Sequence, residues 1–252
     1  MLDIQHYQPA TDLLRGRVIL VTGAGDGIGR AAALSFARHG ATVLLLGRTL
    51  SKLEAVYDEI EQAGGAQPAL LPLNLSSAAL SDYTQLAEMI DAQIGQLDGI
   101  LHNAAILGPL TPLQMYDPDT FDDVMKVNLR APFQLTQALL PLLRRSADAS
   151  VVFTSSSVGR QARAFWGAYA IAKSGLESMS KIFSDELANV SSIRFNCINP
   201  GPTRTNMRTQ AYPGENPFNL PTPDAIMPLY LYLMSADSKG ITGQSLDVPR
   251  PD

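Results

Sequence analysis

Short apolar runs alternate along the chain with longer stretches in which apolar residues recur at helical spacing. This alternation is typical of βαβ units around a parallel sheet. Most of the runs are continuous and lack the polar alternation of a sheet with one face in water, as expected when helices cover both faces of the sheet. The pattern therefore predicts a doubly wound α/β fold with a seven-stranded parallel sheet flanked by helices, with strands at 18–22, 42–46, 68–71, 99–102, 150–154, 193–198 and 245–248.

The organisation of the chain favours a single domain over 1–252, because no linker or shift in composition divides it. Residues 1–15 form an N-terminal extension before the first predicted strand. The segment 204–223 is rich in proline and polar residues and is predicted to lack regular structure. A loop of this length in a compact domain is usually a lid or binding loop, here a substrate loop, and a disordered surface excursion is the alternative.

Composition narrows the class of partner. The chain has 19 Lys+Arg and 24 Asp+Glu, a net charge of -5, and no basic patch, so a small molecule is expected and not a nucleic acid. The one cysteine, Cys197, cannot form an internal disulfide. No apolar run approaches the ~18 residues of a membrane span. The three histidines are scattered, and no metal site is predicted. We expect a cytoplasmic protein without membrane contact.

A glycine-rich turn, T-G-A-G-D-G-I-G, follows the first predicted strand directly, and a helical stretch begins at Arg30. Glycine permits positive φ and close approach of a ligand to the backbone, and a helix N-terminus offers free N–H groups to a pyrophosphate. No lysine of the Walker type follows the last glycine, which argues against a P-loop NTPase. The predicted contacts of this dinucleotide site are Gly23, Asp26, Gly27, Ile28 and Gly29.

The spacing G-x-x-x-G-x-G resembles that of the short-chain dehydrogenase/reductase family, whose single-domain members carry T-G-x-x-x-G-I-G. The resemblance extends over about 16–248 and implies a Rossmann fold with a nicotinamide cofactor. Within the family, segments 46–48 and 156–159 are most similar to those of a group of uncharacterised bacterial oxidoreductases.

Arg48 stands where the second predicted strand ends, about 20 residues after the glycine turn. A carboxylate at this point binds the ribose 2′-OH of NAD(H), whereas a cation pairs with the 2′-phosphate of NADP(H), and the small Gly47 leaves room for that phosphate. We therefore expect NADP(H) as the cofactor, with NAD(H) disfavoured. Members of the family often have a second cation in the glycine turn, where this chain has Asp26. A solvated surface arginine is the alternative interpretation of Arg48.

Tyr169 and Lys173 lie four positions apart in a stretch of clear helical period, so they share one helix face. A tyrosine titrates near pH ~10, and a nearby ammonium favours the phenolate and lowers the phenol pKa toward the working range. Such a tyrosine suits a general acid for carbonyl reduction.

Ser156 follows the fifth predicted strand, at the sheet edge where α/β proteins build their sites. A hydroxyl there can donate to a substrate oxygen as negative charge develops on it. Three serines are adjacent, and the family resemblance selects Ser156, three residues before Gly159 and thirteen before Tyr169.

Asn128 lies on the apolar stripe of a predicted long helix, so its amide should be buried and hydrogen-bonded. Pro132, four residues later, has no N–H, so the carbonyl of Asn128 loses its helical donor and the helix should kink. The residues alone allow a structural core asparagine equally well. The family resemblance implies a catalytic one, with a water at the freed carbonyl that relays protons to Lys173.

Further cofactor contacts are implied by the resemblance alone, after the third, fourth and sixth predicted strands. The last group matches the family's P-G-x-x-x-T segment, which holds the nicotinamide end. The family's V-D-G-G ending is absent, and the two prolines of 249–252 cannot extend a strand, which argues against contacts of the tail in a tetramer. The implied contacts are Asn74, Leu75, Asn103, Ala104, Ala105, Pro200, Gly201, Thr203 and Thr205, together with Tyr169 and Lys173.

Together these features predict an oxidoreductase that transfers a hydride between NADP(H) and a carbonyl or alcohol substrate. Its predicted catalytic residues are Asn128, Ser156, Tyr169 and Lys173. Residues 163–166, between Ser156 and Tyr169, are expected to line the substrate mouth or to pack in the ordinary way. The alternative function is a non-catalytic NADP-binding protein that senses redox state or serves as an interaction surface. The resemblance also implies a homodimer or homotetramer.

Overall fold

The computed structural model describes residues 7–249 and contains seven strands in one parallel sheet. Their order across the sheet is β3-β2-β1-β4-β5-β6-β7. Each strand agrees with its predicted position to within one residue at either end, and the predicted doubly wound fold is confirmed. The strands are β1 Val18–Thr22, β2 Thr42–Gly47, β3 Ala69–Pro72, β4 Gly99–His102, β5 Ser150–Thr154, β6 Arg194–Asn199 and β7 Ser245–Asp247.

Helices cover both faces of the sheet, which explains the continuous apolar runs. In β1, Ile19 and Val21 face one apolar layer, and Val18 and Leu20 face the other. The first layer packs against α1, α2 and α9, and the second against α3, α5 and α7. The helices are α1 Gly27–Arg38, α2 Leu50–Gln62, α3 Leu80–Gln93, α4 Pro118–Met125, α5 Ala131–Leu143, α6 Ser157–Arg160, α7 Gly167–Leu187, α8 Asn206–Ala211 and α9 Met227–Met234.

The strand order reverses between β1 and β4, which are neighbours in the sheet. The chain leaves β1 toward β2 on one side and leaves β4 toward β5 on the other. Open α/β sheets bind ligands at such a switch point, beyond the carboxyl ends of the strands. One unbroken sheet from Val18 to Asp247 supports a single domain over 1–252, which stays a prediction.

The predicted long helix around Asn128 is divided. A π-helical turn, Lys126–Arg130, separates α4 from α5, and the N–H of Ala131 donates to the carbonyl of Lys126, five residues earlier. Pro132 supplies no N–H to the carbonyl of Asn128, so the regular hydrogen-bond pattern fails at this point. The predicted kink therefore takes the form of a π turn, a feature frequent at functional sites.

The segment 204–223 is not structureless, and this prediction is wrong. It contains α8 and a short 3₁₀ turn, Pro217–Asn219. The guanidinium of Arg204 donates to the carbonyl oxygens of Pro217 and Leu220 at 2.8 and 3.1 Å, and so holds the segment together. Six helical residues are too few to produce a visible periodicity, which is why the pattern of the sequence does not reveal α8.

The chain before β1 packs onto the fold where it is described. Leu14 is fully buried, and the hydroxyl of Tyr7 donates to Asp237 at 2.7 Å. Residues 1–6 of the predicted N-terminal extension and 250–252 of the C-terminal tail lie outside the described residues. No helix between residues 7 and 249 combines the length and apolar character needed to cross a membrane.

Candidate active site

A cleft of about 830 Å³ lies at the carboxyl ends of the strands, within the range of about 300–1,000 Å³ typical of ligand pockets. It extends from the end of β2 to the start of α7. Of the predicted site residues, Gly29 and Asn128 lie behind its wall. The predicted residues that line it are Gly23, Asp26, Gly27, Ile28, Arg48, Asn74, Leu75, Asn103, Ala104, Ala105, Ser156, Tyr169, Lys173, Pro200, Gly201, Thr203 and Thr205.

The glycine turn between β1 and α1 forms one wall of the cleft. Gly23 has a φ of 69°, and a Cβ atom there would lie 3.0 Å from the Cα of Ala104. A Cβ atom on Gly29 would lie only 2.2 Å from the carbonyl oxygen of Gly23. Close backbone packing thus requires glycine at both positions. Because α1 begins at Gly27, the positive end of its dipole lies at the cleft, as pyrophosphate binding requires.

The turns after β3 and β4 are fixed by side-chain caps. The Thr22 hydroxyl accepts hydrogen bonds from the backbone N–H groups of Asn103 and Ala104, both at 3.0 Å. Asn74 Oδ1 accepts from the backbone N–H of Ser76 at 3.2 Å. The Thr22 contacts tie the turn after β4 to the end of β1, and the Asn74 cap holds the turn after β3 within itself.

Arg48 is exposed and lines the cleft just beyond β2. Gly47 lines the cleft beside Arg48, and a Cβ atom there would lie 3.0 Å from Cδ2 of Leu53, so glycine permits this close packing. That Gly47 leaves room for a phosphate stays a prediction. Lys52, on the first turn of α2, lines the same end of the cleft. The sequence pattern does not reveal Lys52, since a lysine on an amphipathic helix carries no signal of its own.

Ser156, Tyr169 and Lys173 meet at the other end of the cleft. Ser156 precedes α6, which follows β5, and the other two lie on α7. A Cβ atom on Gly159 would lie 2.9 Å from the Cβ of Lys173, so this glycine lets α6 pack directly against α7. The close packing of the two helices brings the serine to the tyrosine and the lysine.

Lys173 is buried, with 2% of its surface exposed, and its Nζ donates to the carbonyl oxygen of Thr154 at 2.6 Å. Burial lowers its pKa to about 8, since an ammonium loses hydration when it leaves water. Glu177 and Cys197 act in the opposite direction to a smaller extent. An amine with this pKa can both hold and release a proton close to neutral pH.

Tyr169 differs from expectation in the direction of its pKa. The Nζ atom of Lys173 lies 5.5 Å from the centre of the Tyr169 ring, and 8% of Tyr169 is exposed. Burial raises the pKa of Tyr169 to about 12, while its contact with the Ser156 hydroxyl acts to lower it. The predicted lowering is therefore wrong, because the loss of hydration on burial outweighs the effect of the Ser156 contact. The phenol is protonated at neutral pH, the form that donates a proton.

The amide of Asn128 is fully buried and clamps the chain after β4. Its Nδ2 donates to the carbonyl of Ile106 at 2.8 Å, and its Oδ1 accepts from the N–H of Ile106 at 2.8 Å. Asn128 therefore has a structural role that holds the cleft wall. The relay through its own carbonyl remains a prediction.

Asn128→Ala is expected to lower the free energy of unfolding by about 1–3 kcal/mol, because the N–H and the carbonyl of Ile106, both partly buried, lose their partners. Denaturant unfolding measures the change. Asn196 is a matched control: it is fully buried, and its amide donates to the carbonyl of Ile241 and accepts from the N–H of Gln244. Asn196→Ala should be destabilised comparably while it keeps its turnover. An Asn128→Ala variant as stable as the wild type would contradict a structural role for the hydrogen bonds between Asn128 and Ile106.

The segment after β6 forms a further wall of the cleft. Gly201 has a φ of 66°, and its N–H donates to Oδ1 of Asn199 at 3.2 Å. The Thr205 hydroxyl accepts from the N–H of Arg208 at 3.2 Å and caps α8. Its methyl carbon lies 3.4 Å from the position of a Cβ atom on Gly27. The P-G-x-x-x-T segment thus connects the helix of the 204–223 segment to the glycine turn.

Aromatic side chains border the cleft beside Tyr169. The ring centre of Trp166 lies 5.8 Å from that of Tyr169 and 6.1 Å from that of Tyr212, which follows α8. Trp166 and Arg163 line the cleft, which is the first of the two expected arrangements. Phe165 does not, because its backbone has a φ of 72° and its exposed side chain borders a separate depression. Across residues 7–249, no three His, Cys, Asp or Glu side chains are grouped to hold a metal ion.

Comparison with known proteins accounts for this arrangement. The short chain dehydrogenase family model matches residues 17–216. Uncharacterized oxidoreductase YciK of Escherichia coli K12 is 52% identical over 242 residues, which cover 96% of this chain and 95% of that protein. A short chain dehydrogenase from Pseudomonas syringae superimposes with a TM-score of 0.95 at 54% identity, and the match covers 99% of this chain and 100% of that chain.

A short chain dehydrogenase from Escherichia coli CFT073, solved in complex with NADPH, matches with a TM-score of 0.93 at 52% identity over 96% of this chain and 100% of that chain. Its nucleotide is the cofactor that the sequence predicts here. The expected family and the likeness to uncharacterised bacterial oxidoreductases are both confirmed. The chain belongs to the short-chain dehydrogenase family and is an oxidoreductase.

Proposed function

We propose that this protein is an NADP(H)-dependent oxidoreductase that interconverts a carbonyl compound and an alcohol, with Tyr169 as general acid and base. The observation that carries the proposal is one cleft with Arg48 at one end and Ser156, Tyr169 and Lys173 at the other. The same cleft could serve a non-catalytic NADP-binding protein. A protonated tyrosine beside a buried lysine supports the enzyme, because mere nucleotide binding requires neither group.

The residues of the cleft fit NADP(H). The space at Gly23 and Gly29 admits no Cβ atom, and the N-terminus of α1 faces the place for a pyrophosphate. Arg48 would hold the 2′-phosphate, and Lys173 and Thr205 would hold the nicotinamide end. When bound, NADPH supplies the hydride that adds to the carbonyl carbon of the substrate.

Tyr169 and Ser156 act on the substrate oxygen. The phenol donates its proton to this oxygen as the carbonyl becomes an alcohol, and the phenolate takes the proton back in the reverse direction. The Ser156 hydroxyl donates a hydrogen bond to the same oxygen and stabilises the charge that develops there. The pKa of about 12 at Tyr169 keeps the phenol protonated at neutral pH, the form that can donate to the substrate oxygen.

Lys173 returns a proton to Tyr169 after each reduction. Its pKa of about 8 supports this exchange, because the ammonium can lose a proton near neutral pH. The main-chain carbonyl of Asn128, freed by Pro132, would hold a water that passes protons from solvent to Lys173.

We also infer that the protein forms a homodimer or homotetramer. Three apolar side chains on α5 and α7, Phe133, Ile171 and Ile182, are 42%, 42% and 54% exposed. Exposed apolar side chains on these two helices support burial against a second copy of the chain.

Oxidation of NADPH in the presence of carbonyl compounds tests the proposed function. We expect at least one member of a panel of aldehydes, ketones and quinones to cause loss of NADPH absorbance, and NADH to react more slowly with the same compound. Samples without a carbonyl compound serve as the control. Tight NADPH binding without oxidation by any member of the panel would favour the non-catalytic alternative.

A further inference from the structure

Lys52 lies across the glycine turn. Its Nζ donates to Oδ2 of Asp26 at 2.6 Å. A Cβ atom on Gly25 would lie 2.8 Å from the Cβ of Lys52, so glycine at this position lets the first turn of α2 pack directly against the glycine turn. Gly47 accommodates the next residue, Leu53, in the same way. Two glycines thus hold the start of α2, and Lys52 with it, at the nucleotide cleft.

Asp26 places a negative charge at the mouth of this site. Its Oδ1 accepts from the N–H of Gly27 at 2.8 Å and caps α1. The hydrogen bond from Lys52 holds the pKa of Asp26 below its usual range, so the carboxylate is ionised at neutral pH. A carboxylate repels an incoming phosphate, and Lys52 is the group that offsets this charge.

Lys52 has the capacity to bind a second anion. The ion pair with Asp26 is half-exposed, with 53% and 51% of the two side chains accessible, and such pairs contribute little to stability. A lysine ammonium has three N–H donors, of which Asp26 uses one. Arg48, four residues before Lys52, lines the same end of the cleft, and the first turn of α2 contains no acidic residue. The positive end of the α2 dipole adds to the attraction for an anion.

We propose that Lys52 determines the preference for NADP(H): it binds the 2′-phosphate together with Arg48 and keeps its contact with Asp26. The inference rests on the proposed function, which supplies the cofactor. Its competitor is a purely local role, in which Lys52 only neutralises Asp26 and never touches the nucleotide. The two roles differ in what happens when the charge of Asp26 is removed.

Dissociation constants of NADP⁺ and NAD⁺, measured by calorimetry without a substrate, test the proposal. The two nucleotides differ only in the 2′-phosphate. Lys52→Gln is expected to weaken NADP⁺ binding about tenfold, as loss of one charge-assisted hydrogen bond does, and to change NAD⁺ binding less than twofold. Lys181→Gln is the matched control, because Lys181 is also half-exposed and paired, with Asp185 at 2.8 Å, but lies outside the cleft.

The decisive measurement repeats Lys52→Gln in an Asp26→Asn background. Asparagine also caps helices well, so α1 keeps its cap while the turn loses its charge. Contact of Lys52 with the phosphate predicts a loss of at least about tenfold in this background, because the paired residues are coupled and an ammonium freed from Asp26 binds the phosphate no less well. Disappearance of the loss would overturn the proposal in favour of neutralisation alone.

The wild-type protein separates this inference from the function it rests on. Equal affinities of the wild type for NADP⁺ and NAD⁺ would overturn the proposed cofactor, and the role of Lys52 with it. A wild-type preference for NADP⁺ that Lys52→Gln leaves unchanged would overturn the role of Lys52 alone.

Discussion

Tyr169→Phe is expected to lower the turnover number by about 10²–10⁴-fold, the usual contribution of a positioned general acid. The ring stays in place because its packing does not depend on the hydroxyl: it lies against Trp166, and only 8% of the residue is exposed. The variant lacks only the proton donor for the substrate oxygen. NADPH binding should therefore remain within about twofold of the wild type.

Steady-state oxidation of NADPH and calorimetric binding of NADPH measure the two effects separately. Tyr83→Phe is the matched control, because Tyr83 is a buried tyrosine of α3 that does not line the cleft. It should keep wild-type turnover. Turnover of Tyr169→Phe comparable to that of the wild type would contradict the assignment of Tyr169 as the general acid.

The sheet could be predicted because its strands are buried on both faces. All five residues of β1 and of β5 are buried, so each strand appears in the sequence as a continuous apolar run. α8 could not be predicted, since it has six residues, none of them buried, and a Thr205 cap that sequence alone does not distinguish from a turn. Apolar pattern reveals the elements that supply the core and misses those that border the cleft.

The site was predictable where its residues are contiguous or share a helix face. The glycine turn and the pair Tyr169 and Lys173 meet this condition. Lys52 does not, because its approach to Asp26 depends on how α2 packs against a turn 26 residues earlier. The pKa of Tyr169 differs from the prediction for a related reason: the spacing of Tyr169 and Lys173 does not show how deeply the phenol is buried.

Lys173→Met is expected to abolish most turnover and yet to raise the free energy of unfolding at pH 7. The wild type holds an ammonium in a buried position with its pKa lowered from 10.5 to about 8, a shift worth about 3 kcal/mol against the folded state. Methionine removes this cost but leaves the carbonyl of Thr154 without its donor, a loss of about 1–2 kcal/mol. The free energy of unfolding should therefore rise by about 1–2 kcal/mol. The wild-type lysine lowers stability and is retained for its function.

The pH dependence identifies the cause of this gain. Below pH 8 the lysine is protonated in both the folded and the unfolded chain, so the folded wild type bears the full cost. Between pH 8 and 10.5 the unfolded chain binds more protons than the folded one, so wild-type stability rises with pH. Lys173→Met lacks this rise. The amount by which its free energy of unfolding exceeds that of the wild type should therefore shrink with pH and change sign by pH 10.

Urea unfolding of the wild type and Lys173→Met at pH 7, 8.5 and 10 measures the difference, in which the other titrating groups cancel. Lys181→Met is the control, because its exposed ammonium bears no cost of burial and should show no such pH dependence. A Lys173→Met variant less stable than the wild type at pH 7 would mean that the bond to Thr154 outweighs the cost of burial. Lys173 would then stabilise the fold, and its burial would need no catalytic justification.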